Sequence, residues 1–382
     1  MNSPAEHAVI QPSGLSIPTI STPDSPVGYG DTLAPAWETP QNKIGIFAYP
    51  STIQDPGGGM VTLTKTYEYL DRSGFDVDRF DPWTHNLSDF ELIHHFGFVY
   101  CNYEWFRVLK SEGKKLAVTT MYFLPERPRI QRWARKFLSR FPILKPPPTL
   151  IHMMLEMADL VLPNSEGEKQ LLIDLFRCPE EKMSIVPCGV DDRFVGASPE
   201  PFINHYGVSD FLLCIGRFDP NQKNQLGLIR ALKGVDLPLV FVGSATSGEE
   251  AYRETCKKEA PEGTLFIDYL KPEDGLLASA FAAANTLVVP SFYEYPCMVA
   301  MEAFLSGTKV AITTGGTTQE YFKDYATYLD PYSPTDIRRA VQQAYKAPPL
   351  SFEAQQYARD NFLWDSVGRR LENAYQDAGF FD

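Results

Sequence analysis

The sequence predicts an α/β fold of two consecutive doubly wound, Rossmann-like domains that face each other across a cleft. Three observations carry this expectation. The 382 residues exceed what one hydrophobic core usually organises. From Lys43 onward, short β-branched or aromatic runs alternate with longer amphipathic stretches, the signature of βα units around a parallel sheet. The pattern then breaks at Gly196-Ala-Ser-Pro-Glu-Pro-Phe202 and restarts, which divides the ordered chain in two.

The first half offers six candidate strands: Lys43 to Tyr49, Phe75 to Phe80, Phe90 to Phe96, Lys115 to Met121, Asp159 to Leu162 and Met183 to Val186. The second offers Phe211 to Ile215, Pro238 to Val242, Thr264 to Asp268, Thr286 to Pro290 and Lys309 to Thr313. We therefore expect an N-terminal domain over 42–203 and a C-terminal domain over 204–354, hinged near Phe194 to His205. Open α/β sheets bind ligands at the carboxyl edges of their strands, so function is expected in the cleft.

Met1 to Gln41 is rich in Pro, Ser and Thr, holds no Lys or Arg, and reads as a disordered tail over 1–41. It lacks the basic and apolar segments of a leader, so a cytoplasmic location is the expectation. Net charge is −13, which disfavours partnership with nucleic acid. Six scattered cysteines form no CxxC pair and imply no disulfide framework or zinc site. His94-His95 lack a ligating partner at metal spacing and read as strand-end residues lining the cleft; Asp76-Val-Asp78 reads as strand alternation. No metal site is expected.

Two constellations carry chemistry. Gly216-Arg217-Phe-Asp-Pro-Asn-Gln-Lys223-Asn224 follows a strand and opens a helix, placing two cations beside free backbone N–H groups, an arrangement that suits a phosphate. Downstream, Glu294 sits in a strand-to-helix loop, the helix is expected to enter at Pro296, and Gly307 stops it. Backbone N–H groups from Glu294 through Tyr295 to Met298 can face sugar hydroxyls, and Glu302, two turns on, can accept from vicinal hydroxyls. Taken singly, these patterns also read as solvated cations and surface glutamates.

Together they resemble something specific. Gly216-Arg217…Lys223-Asn224, Glu294-x7-Glu302-Ala-x3-Gly307-Thr and Gly315-Gly316-Thr-Thr-Gln-Glu320 resemble the donor half of the retaining GT-B glycosyltransferases of family 4, the "group 1" class. Gly57-Gly58-Gly59, Leu160 to Glu166, Val186 to Asp191 and Asn361 to Asp365 resemble further segments of that family, the last leading into a helix (355–382) that returns to the N-terminal domain. The resemblance implies a nucleoside-diphosphate-sugar donor and no metal or other cofactor. It implies that Arg217 and Lys223 hold the diphosphate, Glu294 and its loop face the sugar, and Glu302 holds the ribose. Gly58 and Gly59, with Gly216, would allow close backbone approach to the phosphates. Three departures stand out. One extra residue separates Arg217 from Lys223, Tyr295-Pro-Cys-Met298 replaces a glycine-containing loop, and Thr120-Met-Tyr122 lacks a histidine that many members carry.

One segment breaks the acidic trend. Arg127 to Lys145 is basic and acid-free, with Ile130, Trp133, Phe137 and Phe141 on one helical face. It suits either peripheral contact with anionic lipid at the inner face of a membrane, or packing on the sheet with its cations toward solvent or an anionic acceptor. The overall expectation is a retaining, metal-independent glycosyl transfer to a glycan, lipid-linked or small-molecule acceptor in bacterial-type surface polysaccharide or glycoconjugate synthesis. A GT-B nucleotide-sugar epimerase and a catalytically silent sugar-nucleotide-binding subunit are the alternatives.

Overall fold

In the first half, apolar side chains alternate between the two faces of five short parallel strands. These are β1 (Ile44–Ala48), β2 (Val77–Arg79), β3 (Leu92–Phe96), β4 (Lys115–Thr119) and β5 (Leu160–Leu162), in the order β2-β1-β3-β4-β5. A computed structural model describes residues 43–49, 58–97, 102–122, 147–271 and 274–381. The expected tail, Gly57 and the basic segment Arg127 to Lys145 lie outside those residues. Ile44, Ile46, Leu92 and Leu162 face one core; Ile93, Leu116, Val118 and Val161 face the other. The helices are α1 (Gly58–Arg72), α2 (Tyr103–Ser111), α3 (Pro147–Met157) and α4 (Glu166–Phe176). The expected sixth strand is reduced to a single bridge between Met183 and Val161.

A short helix, α5 (Glu200–Tyr206), begins the second half with Pro201 in its first turn and ends at Gly207, whose φ of 71° allows the chain to turn. Then follow β6 (Phe211–Ile215), α6 (Gln225–Ala231), β7 (Leu239–Val242), α7 (Glu250–Glu259), β8 (Leu265–Ile267), α8 (Leu276–Ala283) and β9 (Ala284–Val289). After α9 (Met298–Leu305) come β10 (Lys309–Thr313), α10 (Thr318–Phe322), β11 (Thr327–Leu329), α11 (Pro334–Lys346), α12 (Phe352–Phe362) and α13 (Trp364–Asp377). The sheet order is β11-β10-β9-β6-β7-β8, all parallel. Strand β11 was not among the strands expected from the sequence. Both sheets reverse direction beside their first strand, between β1 and β3 and between β6 and β9, which is where such sheets open a crevice.

The chain crosses between the halves twice. Cys188, Val190, Phe194 and Phe202 pack in the core of the second half, so the first crossing precedes the stretch expected to be a hinge. The return is α13, whose Leu371, Ala374 and Tyr375 enter the first-half core with Leu70 and Leu92. Its Gly368 lies so close to α1 that a Cβ would stand 2.3 Å from the Tyr69 ring. Among the described residues no helix is long and apolar enough to cross a membrane.

His94 and His95 do not line the cleft. They are 1% and 0% exposed, because they sit mid-strand on β3 rather than at its end. His94 bonds Thr119 Oγ1 through Nε2 and Tyr375 Oη through Nδ1, both at 2.7 Å. Burial pulls the His94 imidazole down to about 3 and that of His95 to about 4, so both are neutral. The Asp76-x-Asp78 pair is engaged by Lys43, whose Nζ lies 2.7 Å from Asp78 and 3.9 Å from Asp76.

One buried carboxylate organises the carboxyl edge of the first sheet. Ser165 caps α4 by accepting from Glu168 N at 3.0 Å, the Ser-x-x-Glu pattern of a helix start. Glu168, 1% exposed, sends its carboxylate inward. Oε1 accepts from the Thr120 hydroxyl and from Tyr122 N, each at 2.5 Å, and Oε2 accepts from Asn164 N at 2.7 Å. The loops after β4 and β5 are thereby held together.

Burial drives the Glu168 carboxyl up to about 7, against hydrogen bonds from Thr120, Asn164 and Tyr122 that favour its ionised form. A raised folded-state value favours the fold below the pH where a free glutamate titrates, about 4.3, and that contribution is lost as pH rises through about 7. Glu168→Gln does not titrate, so we expect the urea midpoint of wild type to fall relative to this variant between pH 5 and pH 8. An offset independent of pH would show that Glu168 is not a strained carboxyl.

Candidate active site

The loops that follow β6 and β9, the two strands at the switch point of the second sheet, carry the charged residues singled out in the sequence. After β6, Gly216 adopts a φ of 147°, and the loop turns where Asp219 Oδ1 accepts from Asn221 N at 2.8 Å. Asn224 ends it in the left-handed region at φ 53°. Its side-chain Nδ2 donates to the carbonyls of Pro290 (3.1 Å) and Pro331 (3.0 Å), so its part in the motif is to anchor the loop. Phe292 N donates to Gln222 O at 2.8 Å, binding this loop to the one after β9.

These ties bring Lys223 and Glu294 together. Lys223 Nζ lies 2.8 Å from Glu294 Oε1, and Glu294 is 4% exposed. Burial works against the Lys223 charge, but Glu294 more than restores it, and the ammonium titrates above its ordinary value. Without ligand, the expected phosphate cation is thus neutralised by the expected sugar-facing carboxylate. The Glu294 backbone is held too, its N–H donating to Gly315 O at 3.2 Å and its carbonyl accepting from Thr317 N at 3.1 Å. Gly316 has a φ of 88°, and a Cβ there would stand 2.1 Å from Glu294 O, so only glycine permits this approach.

Between the halves lies a cleft of about 340 Å³, within the range of small-molecule sites. From the first half it is lined by Gly58, Gly59, Thr62, Met121 and Asn164, from the crossing segment by Cys188, and from the second half by Gln222, Lys223, Tyr293, Glu294, Tyr295, Pro296 and Met298. A Cβ on Gly58 would stand 3.1 Å from Met298 Sδ, so the first turns of α1 and α9 meet at this cleft. Helix α9 starts at Met298, two residues later than expected at Pro296, and no side chain caps its N-terminal amides at Cys297. Two helix starts and an ammonium give the cleft the means to hold an anion.

Six of the nine residues singled out in the sequence line this cleft: Lys223, Glu294, Gly58, Gly59, Tyr295 and Met298. Arg217, exposed just after β6, does not line it, nor does Gly216, where a Cβ would stand 3.6 Å from the Lys223 side chain. Glu302 is half-buried on α9, away from the lining; burial pushes its carboxyl up to about 7, with Arg193 and Asp191 as the charges that act on it.

The sequence reading missed Thr62, Met121, Asn164, Cys188, Gln222 and Tyr293. At the site of the absent histidine, Thr120 and Tyr122 are the flanking residues tied to Glu168, and Met121 between them reaches the cleft with a φ of 46°, in the left-handed region. Nothing in the local pattern signals that conformation. Among the described residues no three His, Cys, Asp or Glu side chains converge as metal ligands.

The family described as "Glycosyl transferases group 1" matches residues 201–361, and "Glycosyltransferase Family 4" matches residues 64–194. An O-antigen chain mannosyltransferase B of Escherichia coli is 25% identical over 243 residues, covering 59% of this chain and 62% of that protein. The chain spans roughly half to three-fifths of the length of the curated relatives it matches. Sucrose-phosphate synthase from Thermosynechococcus elongatus superposes with a TM-score of 0.70 at 18% identity, over 87% of this chain and 98% of that one. Anabaena HepE in complex with UDP and glucose gives 0.65 at 17% identity, over 87% and 99%. At these identities the structural likeness establishes the fold, GT-B, in which two parallel-sheet domains enclose a cleft. With that fold, and with two family matches that take in both halves, the chain belongs to the group 1, family 4 glycosyltransferases.

Proposed function

We propose that this protein transfers a sugar from a nucleoside-diphosphate sugar to a hydroxyl of a glycan, lipid-linked or small-molecule acceptor, with retention of anomeric configuration and without a metal. The observation that carries the reading is the buried Lys223–Glu294 pair at the switch point of the second sheet, in a cleft where two helix starts meet. Anabaena HepE, of the same fold, holds UDP and glucose, which supports a nucleotide-sugar donor. The Escherichia coli relative is named for O-antigen chain synthesis, which supports a role in surface polysaccharide or glycoconjugate assembly.

In the transfer, the bond from the anomeric carbon to the diphosphate breaks and its electron pair leaves with the phosphate oxygen. The acceptor oxygen forms the new bond and gives up its proton. Lys223 and the amide-bearing starts of α1 and α9 meet the charge that grows on the leaving group, the largest single source of rate in such sites. Arg217, exposed in the loop after β6, is proposed to add its guanidinium when the diphosphate is bound. Glu302 is proposed to accept from the ribose hydroxyls. Glu294, whose Oε1 is held by Lys223, is poised to accept from a sugar hydroxyl rather than to attack the anomeric carbon, so front-face attack assisted by the leaving phosphate fits better than a double displacement.

A second part of the proposal rests on the sequence alone. Arg127, Arg129, Arg132, Arg135, Lys136 and Arg140 beside Trp133 and Phe137 would seat a cytoplasmic enzyme on the anionic inner face of a membrane, near a lipid-linked acceptor.

Five outcomes test these assignments. Arg217→Ala should lower turnover by about 2 to 4 kcal/mol of transition-state stabilisation while leaving the melting temperature near wild type. Lys223→Ala should lose as much activity and also stability, by about 3 kcal/mol, since it leaves Glu294 buried without its partner. Lys223→Met combined with Glu294→Gln should recover that stability without activity, and a variant of Lys223 with wild-type turnover would remove it from the site. Transfer should continue in excess EDTA; complete loss, restored by Mn²⁺, would reject the metal-free reading. Replacing Arg132, Arg135 and Lys136 with Gln should release the protein from anionic vesicles at low salt, and equally poor sedimentation of wild type would reject the membrane contact.

A further inference from the structure

We propose that Asn164 binds a hydroxyl of the donor's glycosyl group, and so takes part in choosing the sugar; this deepens the reading above and rests on it. Asn164 follows β5 and borders the same cleft as Lys223 and Glu294. It is 4% exposed, and its side-chain Oδ1 has no hydrogen-bond partner among the described residues. A buried amide oxygen left unpaired is costly, and protein interiors rarely tolerate one without a reason.

The backbone of Asn164 needs no help from its side chain. Its N–H donates to Glu168 Oε2 at 2.7 Å, and its carbonyl accepts from the Tyr321 hydroxyl, across from the second half, at 2.6 Å. The main chain is therefore clamped from both sides, which holds the residue at the wall of the cleft.

The chemistry of the vacant partner follows from the atom left over. An amide oxygen only accepts, so it calls for an O–H or N–H donor and gives nothing to a phosphate, which at neutral pH offers acceptors alone. The neighbouring Glu294 carboxylate is likewise an acceptor, and Lys223 marks where the diphosphate begins. A group that brings several O–H donors next to a diphosphate is a glycosyl unit. Asn164 also carries an NH₂, so one residue can both accept from one sugar hydroxyl and donate to its neighbour.

The test compares binding of the nucleoside diphosphate alone with binding of its sugar conjugate. Calorimetric titrations would use UDP and UDP-glucose, with GDP and GDP-mannose run alongside, on wild type, Asn164→Ala and the volume-preserving Asn164→Leu. We expect the pair that wild type prefers to behave asymmetrically. Both variants should bind the diphosphate as wild type does, within about twofold, and the sugar conjugate about fivefold to tenfold more weakly, the scale of one lost hydrogen bond. A loss confined to folding would weaken both ligands in parallel, and Asn164→Leu guards against a cavity in Asn164→Ala. Unchanged affinity for the sugar conjugate, or equal weakening of both ligands, overturns the assignment. Failure of wild type to bind any of these nucleotides would instead remove the donor reading on which it stands.

Discussion

The site hangs on one close backbone approach, that of Gly315-Gly316 onto the carbonyls of Phe292 and Glu294. A Cβ at Gly315 would stand 2.2 Å from Phe292 O, and one at Gly316 2.1 Å from Glu294 O. Because neither residue has a side chain, the loop after β10 lies flat against the loop after β9 and fixes Glu294 through two backbone hydrogen bonds. A few residues on, the short helix α10 that follows reaches the first half. The Glu320 carboxylate accepts from Glu166 N at 2.5 Å and Gly167 N at 3.0 Å, the start of α4, and Tyr321 holds the Asn164 carbonyl. A carboxylate at a helix N-terminus is favoured by both the free amides and the dipole. One short segment thus positions a sugar-facing candidate in each half.

Charge is arranged economically in the cleft. The cleft of an acidic protein holds a cation here, yet an unpaired buried ammonium would lose its proton or destabilise the fold. Pairing Lys223 with Glu294 resolves this: the ammonium stays charged, held above its ordinary value, and the pair is neutral until a ligand arrives. Such pairs add little to stability and a good deal to geometry, since each partner fixes the rotamer of the other. Arg217, by contrast, is exposed to solvent.

On the opposite wall a buried carboxylate performs a structural task. Glu168 gathers Thr120, Tyr122 and Asn164 around two oxygens. Met121, between two of these residues, lies in the left-handed region, and the backbone of Asn164 is held where the residue borders the cleft. Strain of this kind persists only where surrounding bonds over-determine it. The two walls differ accordingly: one is built by an ion pair and glycine contacts, the other by hydrogen bonds to a carboxyl that burial pushes up to about 7.

What the sequence by itself determined are the features written in local periodicity and spacing: ten of the eleven strands, the two-part division, the loops bearing Lys223 and Glu294, and the family. Strands and helix starts depend on neighbours in the chain, so Phe211 to Ile215 or Ser165-x-x-Glu168 declare themselves there. Only the tertiary structure decided which faces meet. It moved His94 and His95 from an expected cleft edge into the core, because burial depends on where a strand sits and not on its own pattern. It placed Cys188 to Phe202 in the second-half core, set Arg217 and Glu302 off the lining of the cleft, and brought Met121 and Asn164 into it. Those positions follow from contacts between residues as far apart as Asn164 and Tyr321, and such long-range contacts leave no trace in the composition of either segment.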